Sequence, residues 1–490
     1  MWIKEELHKE SSVIQRAIQE LTRDYHTQLP RSIRSRIPEN KDKTNDFIGH
    51  FYERLRNAEF DVYQKMADGA GAEADTDAPH HPAFQLTEIK NSANDLPHPR
   101  ILSELQRAYD IRRRGNGAQA TAADGDDDRY IPYKVYAYIR EKSEYCINFQ
   151  SNIHGRAISL YFITFPESHI TVCNKTRNGE DVCASEIAVY QLYAYKVFIW
   201  LSLVTSLADK ECSEKGLNVY FYMTPFNKQR PADDAILSAI HVNTGLTRNC
   251  ETHGEIVVYR AEEWFKVFVH ESMHNFNMDF IDLELREANE QLRRTFCIPH
   301  DDILLFETYT ETWARIINTM FYIYFQEDIE LDGRTATAVT RTHFIRTVRD
   351  KLTTNALFYA YQAVKVLEIM GLKYANITIQ SAENTEVCRK RYAEDTNVYA
   401  YYILGGILSV YALPFISWCC ENNHGRVRGA GGIGAVRFSH ETSNLAHFVD
   451  FISNAARDPV LLSAISFIEN TSSAQIKTTL LKKTLRMTTE

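Results

Sequence analysis

Residues 261–274 read Ala-Glu-Glu-Trp-Phe-Lys-Val-Phe-Val-His270-Glu271-Ser-Met-His274. On a helix, His270 and His274 stand one turn apart, so both imidazoles leave the same face and can share one metal ion. Glu271 lies about 100° further round, clear of such an ion yet close enough to take a proton from a water beside it. Zinc asks for a set of this kind: two neutral nitrogens, a third protein ligand and one open position. Trp264, Val267 and Phe268 supply an apolar stem that would hold the histidines rigid. The bland alternative is a pair of histidines satisfied inside a core. Against it, a chain of 490 residues with 17 histidines gives only about 0.04 chance matches to H-E-x-x-H.

The surroundings sharpen this reading. Ile256-Val-Val-Tyr259 immediately upstream has the composition of a strand, so the motif helix is expected to follow a strand directly. Further upstream, Ile158 to Thr164 and Leu217 to Met223 read as strands, as do the alternating run Tyr133-Lys-Val-Tyr-Ala-Tyr-Ile139 and the short His169 to Cys173. Glu186 to Asp209 reads as a long buried helix, and the pattern from Asp301 onward is largely helical. That second half opens with Phe306-Glu307-Thr-Tyr-Thr-Glu311-Thr-Trp-Ala314-Arg315, a helix carrying two carboxylates that could complete a His-His-Glu site. The expected architecture is α+β. A mixed sheet and active-site helix occupy residues 129–300, a helical part carrying the third ligand occupies 301–490, and a helical region with flexible linkers occupies 1–128.

Taken together, these motifs resemble the gluzincins, the metallopeptidase class that includes thermolysin and the aminopeptidase-N type. Glu311-Thr-Trp-Ala314 looks like the aminopeptidase pattern, which makes Glu311 the ligand and Glu307 its outer partner. Glu307-x-x-x-Glu311 looks like the thermolysin pattern, which reverses those roles. The small Ala314 favours Glu311, because it allows close helix approach. Residues 241–318 also resemble H-E-x-x-H proteins encoded by large nucleocytoplasmic DNA viruses. Asn243-Thr-Gly245, Arg260 to Glu271 and Glu307 to Ala314 carry that likeness, over about a sixth of the chain.

The resemblance implies a zincin-like fold over about 129–460 and a zinc-dependent peptidase acting on peptide or isopeptide bonds, with Glu271 as general base. It also implies a protein or peptide substrate, virion components as further partners, and a cytoplasmic or virion location. Asn243 and Gly245 are candidate substrate-binding residues, lining the cleft beside an added peptide strand; an ordinary Asn-x-Gly turn is the plainer reading. An oxyanion stabiliser is expected beyond the third ligand, with Tyr392, Tyr401, Tyr402, His424 and His440 eligible and Tyr402 the choice. The rival function is a catalytically inactive, zincin-fold viral structural or scaffold protein.

Composition sets outer bounds. A net charge of −9 argues against nucleic acid as the main partner. The nine cysteines contain no C-x-x-C pair, which favours reduced thiols in a cytosolic setting. Thr396 to Cys420 carries no charge and is long enough to span a bilayer, but its four tyrosines, Gly405-Gly406 and Pro414 favour a buried helix pair. Ala67 to Pro82 and Gly115 to Asp128 are poor in large apolar residues and read as loops. Gly429 to Gly434 matches G-x-G-x-x-G but follows a polar loop, and Arg112 to Arg114 is too short a basic run for a nucleic-acid footprint.

Overall fold

The computed structural model describes residues 2–28, 34–69, 84–89, 95–100, 102–104, 131–166, 184–231, 236–297, 303–326, 340–423, 431–471 and 478–490. Of the loop expected over Ala67 to Pro82, residues 67–69 are the end of the helix Lys41–Gly69; its remainder, the loop expected over 115–128, the strand at 169–173, the basic run at 112–114, and His424 lie outside the described residues. The chain divides into two compact units. One comprises Met1–Leu7, Arg54–Asn227 and Asn243–Asn277; the other comprises His8–Glu53, Lys228–Val242 and Met278–Glu490. The helices used below are α1 (Trp2–Gln28), α2 (Lys41–Gly69), α3 (Tyr133–Lys142), α4 (Ala184–Val204), α5 (Trp264–Asn275), α6 (Leu305–Gln326), α7 (Arg341–Ile369), α8 (Gly405–Val410) and α9 (Ala412–Asn422).

The first unit is mixed α/β. Among the described residues its strands are six: β1 (Phe84–Glu88), β2 (Tyr145–Ile153), β3 (Arg156–Thr164), β4 (Gly216–Tyr222), β5 (Gly245–Thr247) and β6 (His253–Val258), in spatial order β1-β2-β3-β4-β6-β5. β2 and β3 form an antiparallel hairpin in which Ile153 faces Arg156. The two turn residues, His154 and Gly155, have φ of 48° and 82°, the left-handed pair that matches the twist of a tight hairpin. β3, β4 and β6 run parallel, and β5 returns antiparallel to β6 at the sheet edge. In the parallel register Phe162 faces Phe221, with rings stacked 4.6 Å apart.

The C-terminal half of helix α4 is apolar because it is buried: Val197, Phe198, Ile199, Trp200 and Leu201 are each at most 1% exposed, whereas Leu192 nearer its start is exposed. Its one mid-helix charge, Lys196, lies over the Phe265 ring at 4.0 Å, where the aromatic face stabilises the ammonium.

Two sequence expectations change in this unit. Tyr133–Lys142 is the helix α3, not a strand. Alternation of Val135, Ala137 and Ile139 fits a strand, but Val135, Tyr136 and Ile139 also share one helical stripe, and those three are the buried residues. Cys212 and Cys250 form a disulfide, which removes the all-reduced reading of the cysteines. Their 38-residue separation hides the pairing from sequence. The fold supplies it: Ser213 N–H donates to the Glu251 carbonyl at 2.7 Å and Lys215 N–H to the Thr252 carbonyl at 3.0 Å. These bonds lay the approach to β4 against the β5–β6 turn. By the chain-entropy argument, closing such a loop contributes about 4 kcal/mol. The Cys212→Ser/Cys250→Ser variant is therefore expected to unfold at markedly lower denaturant under non-reducing conditions. A midpoint equal to that of the parent would refute the linkage.

The second unit is helical. Phe47 and Phe51 in α2 are buried, with rings 5.3 Å from Trp313 and 6.3 Å from Phe321 of α6. α6, α7 and α8 pack against one another. The long uncharged stretch is a π-helical turn (Tyr399–Leu404) running into α8, then α9, with a bend of 90° between the two arms. The bend falls at Tyr411, whose hydroxyl donates to Asp458 at 2.7 Å. Among the described residues no single helix is long and apolar enough to cross a membrane.

Candidate metal centre

All twelve residues of α5 are buried. The chain enters the helix straight from β6 through Glu263, held at φ 57°. Thr224 fixes this entry, its hydroxyl donating to the Tyr259 carbonyl at 2.5 Å and its carbonyl accepting from Ala261 N–H at 3.0 Å.

The remaining faces of α5 are held by neighbours in the same unit. Trp264 packs on Tyr193 at 4.5 Å and Phe268 on Phe221 at 5.5 Å. Trp200 Nε1 donates to Ser272 Oγ at 2.7 Å. At the helix end, Ser213 Oγ donates to Asn275 Oδ1 at 2.7 Å, while Asn275 Nδ2 reaches Thr247 Oγ1 at 3.3 Å. A helix gripped at both ends and along its back has little freedom to rotate, so the direction of its histidines is set before any ligand arrives.

That direction is convergent. The Nε2 atoms of His270 and His274 stand 3.1 Å apart, with ring planes crossing at 76°. Two nitrogens on one tetrahedral zinc, each about 2.0–2.1 Å from it, are separated by roughly 3.3 Å. The donor pair therefore fits such an ion. His270, Glu271 and His274 are 6%, 8% and 7% exposed, which places the base and both imidazoles in a low-dielectric environment where charge effects are strong. Tyr259 shares it: burial raises the phenol well above its usual range, and the nearby Glu271 carboxylate adds to that against the opposing Arg260.

Gly245 has a sharper role than a turn. A Cβ placed there would lie 2.6 Å from Val267 Cγ1 and 2.9 Å from both Glu271 Cγ and Oε1. The missing side chain makes room for α5 itself, and it lets β5 lie directly against the Glu271 carboxylate. We expect Gly245→Ala to lower stability by about 1–3 kcal/mol through overpacking and to displace Glu271, leaving the histidine pair able to bind metal. Melting, metal content and turnover measured on one preparation check this; unchanged melting would show that the close approach is relieved at no cost. Asn243, half-buried, stands two residues before this contact.

In the second unit the two carboxylates of α6 have different surroundings. Glu311 is 1% exposed, and its Oε1 accepts from Arg315 Nε at 2.9 Å in an equally buried ion pair. Arg315 goes on to donate to the carbonyls of Gly405 (3.1 Å) and Tyr401 (2.8 Å) and to Ser409 Oγ (3.0 Å). Glu307, one turn earlier, is only half-buried. Its Oε2 accepts from the Tyr401 hydroxyl at 3.2 Å.

The tyrosine chosen as oxyanion stabiliser is otherwise engaged. Tyr402 is 1% exposed and its hydroxyl donates to the Leu485 carbonyl at 2.5 Å, a packing role. Tyr392 donates to Glu394, and His440 Nε2 lies 2.6 Å from the Asp279 carbonyl. Of the four eligible residues that are described, Tyr401 is the one whose hydroxyl meets a candidate ligand. Its signal in sequence is indistinct, since Tyr399, Tyr401 and Tyr402 differ only in phase around a helix whose π geometry sequence does not announce.

No protein-family model, no curated protein and no solved structure matches the chain.

Proposed function

We propose that the protein is a zinc-dependent peptidase with a zincin-like catalytic fold, using Glu271 as general base and His270, His274 and Glu307 as metal ligands. The observation that carries this reading is the convergence of two imidazole nitrogens at 3.1 Å on a buried helix, with Glu271 between them in sequence. Glu307 is preferred to Glu311 because the Glu311 carboxylate is neutralised by Arg315 in the interior. A mixed sheet whose antiparallel edge strand runs beside the motif helix further supports a zincin-like arrangement.

Zinc, when bound, polarises a carbonyl oxygen and acidifies water. The chain's own residues do the rest. Glu271 takes the proton of the attacking water and passes it to the leaving nitrogen, which releases the new amine. β5 ends the sheet, so an extended peptide would pair with its backbone and lay its scissile bond along α5. Gly245 keeps that strand close to the base. Peptide and isopeptide bonds are both amides and both suit this chemistry. A protein substrate, further partners among virion components, and a cytoplasmic or virion setting belong to the same proposal.

Elemental analysis of metal-replete protein is expected to give about one zinc per chain. His270→Ala and Glu307→Ala should each lower occupancy at limiting metal. Full occupancy in a His270→Ala/His274→Ala double variant would overturn the centre.

A further inference from the structure

The C-terminal end of α5 is closed by a clasp made from three separate pieces of the first unit. One piece is the approach to β4, where Ser213 Oγ donates to Asn275 Oδ1 at 2.7 Å. The second is the end of β5 and the turn after it, where Thr247 Oγ1 and the Arg248 carbonyl accept from Asn275 Nδ2 at 3.3 and 3.4 Å. The third is α5 itself, since Asn275 directly follows His274. Gly254 makes the meeting possible: a Cβ there would collide with Ser213 Oγ and lie 2.9 Å from Asn275 Oδ1. The Cys212–Cys250 bridge joins the first piece to the second. Its two sulfurs differ in access, because Cys212 is buried whereas Cys250 is half-buried on the turn. Backbone strain sits at the same place. Ser213 is held at φ 54° and Cys250 at φ 45°, a region that residues bearing a Cβ seldom occupy.

From this we infer that the Cys212–Cys250 bridge is a redox-operated clasp: a dithiol opens it, and its opening loosens the end of α5 that carries His274. A thiolate of the dithiol attacks Cys250 Sγ, the accessible sulfur. The S–S bond breaks, and Cys212 departs as a thiolate that takes up a proton. The second thiol of the reductant then displaces Cys250, so the reductant ends as a disulfide and the chain gains two electrons and two protons. What remains between the two pieces is a pair of backbone bonds, from Ser213 and Lys215 to the carbonyls of Glu251 and Thr252. Freed of the covalent tie, Ser213 and Cys250 relax from their left-handed conformations, and Ser213 withdraws its hydroxyl from Asn275. The last turn of α5 then opens locally, as a helix end without side-chain support does. His274 stands on that turn and His270 one turn earlier, so the spacing between their nitrogens is no longer fixed in advance. The effect on metal rests on His270 and His274 being ligands; the effect on α5 does not.

The test uses the full chain, with amide hydrogen exchange as the probe of α5 and with zinc and cobalt(II) alone as probes of the histidine pair. Exchange is compared in metal-free protein before and after reduction by dithiothreitol. Zinc affinity, by chelator competition, is compared between the parent and Cys212→Ser/Cys250→Ser, so that no freed thiol competes for the ion. We expect reduction to speed exchange by about 10-fold or more over residues 245–253 and 271–277, while β2 and β3 keep their protection. The double serine variant should bind zinc about 10-fold more weakly, with an altered cobalt spectrum and one ion still bound at saturation. Ser213→Gly, which removes the hydroxyl and leaves the bridge in place, should loosen α5 in oxidised protein. Unchanged exchange in both segments on reduction would overturn the clasp. So would loss of protection across β2 and β3, which would make the bridge a staple of the whole sheet. Faster exchange with parental zinc affinity and spectrum, where His270→Ala/His274→Ala loses zinc, would overturn the link to the histidine pair. Zinc binding undiminished in that histidine variant would show instead that the ligand assignment is wrong, and exchange alone would then decide the clasp.

Discussion

Glu271→Gln is expected to keep the zinc content and melting temperature of the parent while losing roughly 10²-fold or more in peptidase turnover. The substitution conserves volume, which matters here because Gly245 leaves no spare room: the side chains of Glu271 and Val267 both already lie against β5. It removes the ability to accept the proton, and with it the means of delivering one to the leaving nitrogen. The substrate must first be found, by exposing a diverse peptide library to the protein and reading new termini by mass spectrometry. Cleavage undiminished in the variant would be decisive against Glu271 as the base. Absence of cleavage by the parent across the library would instead favour the scaffold reading, in which the fold serves binding rather than hydrolysis. Zinc content alone cannot separate the two readings, since a structural ion needs the histidines but not the base.

What could be read from sequence, and what could not, follows the range of the interactions concerned. The motif helix was legible because the relation between His270 and His274 is local; a helical repeat alone puts them on one face. The strand Ile158 to Thr164 was legible from its alternation, which the burial along β3 follows, and Leu217 to Met223 from its run of aromatic and β-branched residues. Tyr133–Lys142 was misread because its apolar positions satisfy both periods, and packing decided between them. The Cys212–Cys250 bridge is a consequence of sheet topology, which no spacing between cysteines encodes. The choice between Tyr401 and Tyr402 is a difference of about 100° around a helix. Only the partners of each hydroxyl, one on α6 and one at Leu485, tell them apart.

The choice between Glu307 and Glu311 belongs to the same class and leads to the second large effect. Arg315 sits four residues beyond Glu311, an ordinary helical pair in sequence; in the fold both side chains are at most 3% exposed. Removing one partner of a buried pair leaves the other charge without compensation, at a cost of about 3–5 kcal/mol. Arg315→Met should therefore lower stability by that amount, which is on the order of 10²–10³ or more in the folding equilibrium. It also deprives the carbonyls of Tyr401 and Gly405 of a donor. Adding Glu311→Leu should restore part of the loss, because replacing both charges with apolar groups removes the stranded carboxylate. A ligand role for Glu311 predicts a different pattern. Its loss would then abolish metal binding, and Glu311→Gln, which keeps shape and an acceptor for Arg315, would separate the cases most cleanly. We expect that variant to be less stable than the parent yet to bind zinc at full stoichiometry. Loss of zinc from Glu311→Gln with melting unchanged would return the ligand to Glu311 and make Glu307 its outer partner. The reasoning turns on where a carboxylate's charge is already balanced: one neutralised by a buried arginine has little left to offer an ion, which is the ground for setting Glu311 aside.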